Sequence, residues 1–153
     1  MTTRRTFALL IPVLLLGSCG EKPRPAAAEP CVTRIETGPL PQWARGGFSD
    51  DGSGTPHVSS KKGDMVGVLF GSPLSAPPAD DHSNKILWVS KPPVTMPSDF
   101  TIVASLAGTG ETYRPKVDSA PGPSTVDLPR AGCWRLTLSW SGHVDTMDLT
   151  YSS

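Results

Sequence analysis

Three cysteines and three histidines are the side chains of this sequence best suited to covalent or metal chemistry. A thiolate can attack an electrophile, ligate a metal, pair with another thiol or carry an acyl group. Cys19, Cys31 and Cys133 contain no Cys-x-x-Cys pair, and none lies within four residues of a histidine. The spacings that mark zinc and dithiol redox motifs are therefore missing. His57, His82 and His143 are scattered, although His82 follows Asp80-Asp81 and His143 stands two residues before Asp145. A zinc site needs three or four ligands converging at about 2.0–2.3 Å, which neither cluster supplies on one element. A surface loop for His82 and a turn flank for His143 account for both without a metal.

Other motifs for chemistry are equally sparse. Asp50-Asp51-Gly52-Ser53-Gly54 resembles the start of a calcium loop. It lacks the alternating oxygen ligands and closing glutamate, and Lys61 and Lys62 follow, so it reads as a polar turn. No Gly-x-Ser-x-Gly elbow, His-Glu-x-x-His helix or phosphate-binding glycine loop occurs. No cofactor is implied. The chain has 153 residues with 14 basic and 14 acidic side chains. This balance excludes a broad electrostatic attraction to nucleic acid, and the length suits one domain.

The odd cysteine count is resolved by the first nineteen residues. Met1–Ser18 holds Arg4 and Arg5, no acidic side chain, an apolar run from Phe7 to Leu16, then Gly17 and Ser18. That order is the pattern of a secretory signal peptide. The run is shorter than the about 20 residues a spanning helix needs. Leu16-Gly17-Ser18-Cys19 resembles the lipobox of bacterial lipoproteins. The resemblance implies cleavage beside Cys19 and attachment of a diacylglycerol to its thiol. It also implies a mature protein held by lipid on the extracytoplasmic side of the cell membrane. Thr3-Arg4-Arg5-Thr6-Phe7 is similar to the twin-arginine export signal but continues with Ala8-Leu9, so general secretion stays open as the route. An ordinary leader with Cys19 unlipidated is the competing reading.

Residues 19–30 then read as the lipidated cysteine and a flexible tether. Gly20–Pro30 has three prolines, mixed charges and no bulky apolar side chain, too little to bury. With Cys19 lipidated, Cys31 and Cys133 are left, and outside the cytoplasm two such thiols are expected to form a disulfide. A redox pair or a metal site is the alternative.

Residues 31–153 show no helical apolar period. Short β-rich runs recur between turn signals. The expected strands are 32–36, 57–59, 65–70, 86–90, 100–106, 112–116, 125–128, 133–140 and 144–151. About seven to nine strands in one domain predict an all-β fold, an antiparallel immunoglobulin-like β-sandwich, with a small barrel as competitor. Trp134, Leu136, Leu138 and Trp140 alternate with polar residues, and Ser141-Gly142 suits a two-residue turn. The resulting register pairs Trp140 with His143, Leu138 with Asp145, Leu136 with Met147 and Trp134 with Leu149. Arg135 then meets Asp148 on the other face as an exposed pair, worth a few tenths to about 1 kcal/mol. Cys133 shares that face, so a disulfide there draws the N-terminal segment across the outside of the sheet or its edge. Gly132-Cys133-Trp134 resembles the start of a late strand in secreted bacterial immunoglobulin-like domains of unknown function, a likeness that transfers no activity.

Trp134 and Trp88 are expected in the core. Trp43, in a loop, and Trp140, beside the tight turn, are the candidate binding surface, since part-exposed aromatics serve as protein hot spots or sugar platforms. Their bland role is to pack over the ends of a sandwich. The leading expectation is a binding module with an envelope protein or glycan partner. The alternative is an envelope hydrolase or a metal-binding protein using His57, His82 or His143.

Overall fold

The computed structural model describes residues 29–81 and 83–153. The expected leader (1–18), Cys19 with most of the tether, and His82 lie outside the described residues. Among the described residues there are eight strands: β1 (His57–Ser59), β2 (Met65–Leu69), β3 (Lys85–Ser90), β4 (Thr101–Leu106), β5 (Thr112–Tyr113), β6 (Pro123–Thr125), β7 (Gly132–Trp140) and β8 (His143–Tyr151). They form two antiparallel four-stranded sheets, ordered β1-β2-β3-β6 and β5-β4-β7-β8. The fold is an antiparallel β-sandwich, the architecture shared by immunoglobulin-like domains. Among the described residues no helix is long and apolar enough to cross a membrane.

Alternation places one core between the sheets. Met65, Ile86 and Trp88 of the first sheet pack against Ile102, Trp134, Leu136, Leu138, Met147 and Leu149 of the second. Gly67 allows the layers this close: a Cβ there would lie 3.2 Å from the Trp88 ring and 3.3 Å from the Met147 sulfur. The β7–β8 register is the one the alternation predicts, from Trp140↔His143 to Gly132↔Tyr151. Ser141 and Gly142 take positive φ values of 44° and 78°, as a two-residue hairpin turn requires.

The first sheet is apolar on its outer face as well. Val66 and Val68 point away from the central core and are covered by Leu40 and Ala44, with Trp43, Phe48, Leu87 and Val89 around them. A short 3-10 turn, Gln42–Ala44, holds this cover in place. Trp43 is thus half-buried as the lid of a second, small core.

Three strand expectations and one burial expectation need correction at the level of the fold. Residues 32–36 are not a strand; only Glu36 forms a bridge, to His57. The expected 125–128 strand lies earlier, at Pro123–Thr125, while Val126 and Leu128 leave the ladder and plug the core. The strand from Thr112 ends at Tyr113, two residues before buried Pro115, which has no N–H to donate. Trp140, expected to be partly exposed, is only 1% exposed. Its indole N–H donates to the Ser90 hydroxyl at 2.7 Å, and the loop after β3 closes over the turn through Thr95 N–H to Ser141 Oγ, 3.0 Å.

Cys31 and Cys133 form a disulfide across a sequence separation of 102. A loop of that size contributes up to about 4–5 kcal/mol by chain-entropy estimates. The double substitution Cys31→Ser, Cys133→Ser is expected to lower unfolding free energy by about 2–4 kcal/mol in denaturant titration. An unchanged midpoint would show that the bridge adds no stability.

Candidate functional site

The site is built where the two sheets fail to meet. β1 and β8 are edge strands, and among the described residues the turn after β1 meets β8 through one backbone hydrogen bond, Lys61 N–H to the Thr146 carbonyl at 2.8 Å. From there they diverge. Residues 29–36 cross the gap as a strap, tied to the second sheet by Cys31–Cys133 and to β1 by Glu36. The Glu36 N–H donates to the His57 carbonyl at 2.8 Å, and the His57 N–H donates back at 2.9 Å. A cleft of about 580 Å³ remains between the strap and the edges. Its strap side carries Val32, Arg34 and Glu36, its β1 side Ser59 and Lys61, and its floor Val58 and Met147.

Asp148 anchors the strap. Arg135 donates to it from Nε at 2.8 Å and from Nη2 at 3.0 Å. The Val32 N–H donates to Oδ2 at 3.1 Å, and Lys61 Nζ stands 3.5 Å away. The same Arg135 Nη2 reaches the Pro30 carbonyl at 3.2 Å. Burial by itself pushes the Asp148 carboxyl up, but the Arg135 hydrogen bonds, the Val32 N–H and the charges of Arg135 and Lys61 outweigh it and hold the carboxyl below its ordinary 3.8. The Arg135 guanidinium is raised in turn, mainly by its hydrogen bonds to Asp148. The exposed pair expected from the register is therefore corrected: the Asp148 side chain is 1% exposed, because the strap lies over it.

Asp145 organises the apex of the cleft. It shares the inward parity of Met147 and Leu149, and it is buried. Its carboxylate accepts from the Ser60 hydroxyl at 2.5 Å and from the Lys62 and Asp64 N–H groups at 3.0 and 3.3 Å. This carboxylate fixes the β1–β2 turn against β8. An acid in the middle of an apolar alternation signals a buried partner, but Ser60 is 85 residues away in sequence and no local pattern points to it. Arg34 and Lys61 were likewise missed as cleft residues.

The histidines are dispersed. His57 is buried beneath the strap, its Nδ1 donating to the Thr55 carbonyl at 2.9 Å, with Nε2 3.8 Å from Glu36. His143 is exposed at the opposite end, its ring 5.7 Å from that of Trp140. Neither is hydrogen-bonded to a serine hydroxyl among the described residues. Among the same residues no group of three or more His, Cys, Asp or Glu side chains is placed to hold a metal ion. The Asp50–Gly54 segment is a turn, with the Gly52 and Ser53 N–H groups donating to Asp50 and Asp51. Trp43 and Trp140, the candidate binding pair, lie in different parts of the fold: one lids the small outer core and the other is sealed in the main one.

No protein-family model, no curated protein and no solved structure matches the chain.

Asp148→Ala is expected to cost about 2–3 kcal/mol, since it strands the Arg135 guanidinium and the Val32 N–H. The folded carboxyl titrates below its unfolded value, so its contribution is fully present above about pH 4 and lost as pH falls through the folded value. Acid unfolding of Asp148→Asn should therefore be less steep below about pH 4 than that of the parent. Equal steepness would place the acid sensitivity elsewhere.

Proposed function

We propose that the chain is a lipoprotein precursor whose mature form is anchored by lipid on Cys19 to the extracytoplasmic face of the cell membrane. There it acts as a binding module for an envelope partner. The observation that carries the anchoring is Leu16-Gly17-Ser18-Cys19 at the end of a charged and then apolar leader. The Cys31–Cys133 disulfide agrees with an oxidising compartment. Each acyl methylene buried in a bilayer contributes about 0.8 kcal/mol, so two or more chains hold a folded domain stably. The segment from Gly20 to the strap, if extended at about 3.1 Å per residue, spaces the sandwich roughly 30 Å from the lipid.

The binding role is supported by the cleft beside the strap, held on a rigid frame and lined by polar, charged and apolar groups together. Such mixed concave sites on a fixed scaffold suit recognition.

Cys19→Ala is expected to move the protein from the membrane fraction to the soluble extracytoplasmic fraction, and the parent's mass should show the acyl groups. Membrane retention of Cys19→Ala would overturn the anchor. Elemental analysis of the purified parent separates the binding role from the metal-protein alternative: one metal tightly held per chain would overturn the former.

A further inference from the structure

The chain passes from β5, an edge of the second sheet, to β6, an edge of the first, through residues 114–122. A groove of about 430 Å³ lies between this crossing and β6. It shares no lining residue with the strap cleft.

Burial alternates along the crossing. Pro115 is buried and Val117 half-buried, while Arg114, Lys116 and Asp118 are exposed. In an extended chain residues two apart stand about 7 Å from each other, so Arg114 and Lys116 set two cations in a row. Lys85, the first residue of β3, lines the same groove as Lys116. A smaller recess of about 190 Å³ continues past Lys116 to Arg114. Asp118 is the one acid lining either. Among the described residues none of these three cations has a carboxylate within ion-pair distance, whereas Lys61, Arg130 and Arg135 do. In a chain with 14 basic and 14 acidic side chains, such a local excess attracts an anion.

The groove offers more than charge. Ser124 of β6 accepts the Trp88 indole N–H at 2.9 Å, which leaves its hydroxyl hydrogen to donate. Thr125, opposite Lys85 in the ladder, brings a second hydroxyl, and Pro123 and Val117 add apolar surface. Cations, hydroxyls and apolar surface in one concavity complement an acidic sugar, whose ring presents hydroxyls, a C–H face and a carboxylate or phosphate. A flat layer of lipid headgroups does not enter a recess of this shape. No aromatic side chain lines it for stacking a nucleobase.

We infer that this groove binds an acidic polysaccharide chain. Lys85, Arg114 and Lys116 hold its anionic groups, and the Ser124 and Thr125 hydroxyls bond its sugar rings. This inference rests on the binding-module reading and narrows the envelope partner to an anionic glycan.

The test is calorimetric titration of the purified parent, in non-ionic detergent at low salt, with four polymers. Polygalacturonate and phosphate-esterified dextran separate carboxylate from phosphate as the anion; neutral dextran and poly-glutamate are the controls. Binding of either acidic polysaccharide is expected, weakened by added salt. Lys85→Ala with Lys116→Ala should weaken it at least tenfold, and Thr125→Val several-fold, while Lys91→Ala leaves it unchanged. All four side chains are exposed, so the unfolding midpoint should stay with the parent. Binding of neither acidic polysaccharide overturns the proposal, as does equal binding of neutral dextran or of poly-glutamate. Binding that the Lys85 and Lys116 substitutions leave undiminished also overturns it. A negative result removes this ligand and this groove alone, since the anchor is read by Cys19→Ala fractionation and the binding role by metal content.

Discussion

The backbone hydrogen bond that joins the β1–β2 turn to β8, Lys61 N–H to the Thr146 carbonyl, the one such contact there among the described residues, is the constraint on which the closure of this sandwich depends. Two twisted sheets share a core but their edges splay, so the side of the sandwich below that contact must be closed by something else. The N-terminal strap closes it. The disulfide fixes one end, Glu36 pairs with β1 at the other, and Asp148 holds the middle. A strap held by side chains and one covalent bond leaves the strand edges beneath it partly unmatched, and the cleft is the consequence.

Two buried carboxylates divide the work along this seam. Asp145 satisfies the backbone of the β1–β2 turn, so the apex is fixed by hydrogen bonds that the Ser60 hydroxyl and the Lys62 and Asp64 N–H groups donate to its carboxylate. Asp148 binds a guanidinium and a backbone N–H, joining sheet to strap. Neither acid is left with an unmet hydrogen bond; among the described residues no buried side-chain nitrogen or oxygen lacks a partner. Removing one partner of such a pair is costlier than never having had the pair, since the survivor stays desolvated. The seam is therefore sensitive to single substitutions through a stranded charge, where the aliphatic core is sensitive through the cavity left behind.

The hairpin was legible in the sequence because its information is local: alternation sets the faces, and Ser141-Gly142 sets the register. The bounds of β1 are read correctly from three residues between turn signals, and most other strands to within a residue or two. The 32–36 segment was misread because Val32 and Ile35 have strand character, while ladder formation needs a neighbour at the right distance. The strap spans a gap too wide to pair with both edges. Trp140 was misplaced for a related reason, since the segment that buries it comes from residues 90–98, far away in the chain.

By itself the sequence determined the all-β class and the turn that registers β7 with β8. Alternation and turn chemistry are properties of neighbouring residues. Only the tertiary structure decided that Asp148 and Trp140 are buried, that Asp145 ties β8 to the β1–β2 turn, and that a cleft opens beside the strap. Those features depend on which distant segments come to lie across a given face. Burial and hydrogen bonding are set by that three-dimensional neighbourhood, which residue type alone does not specify.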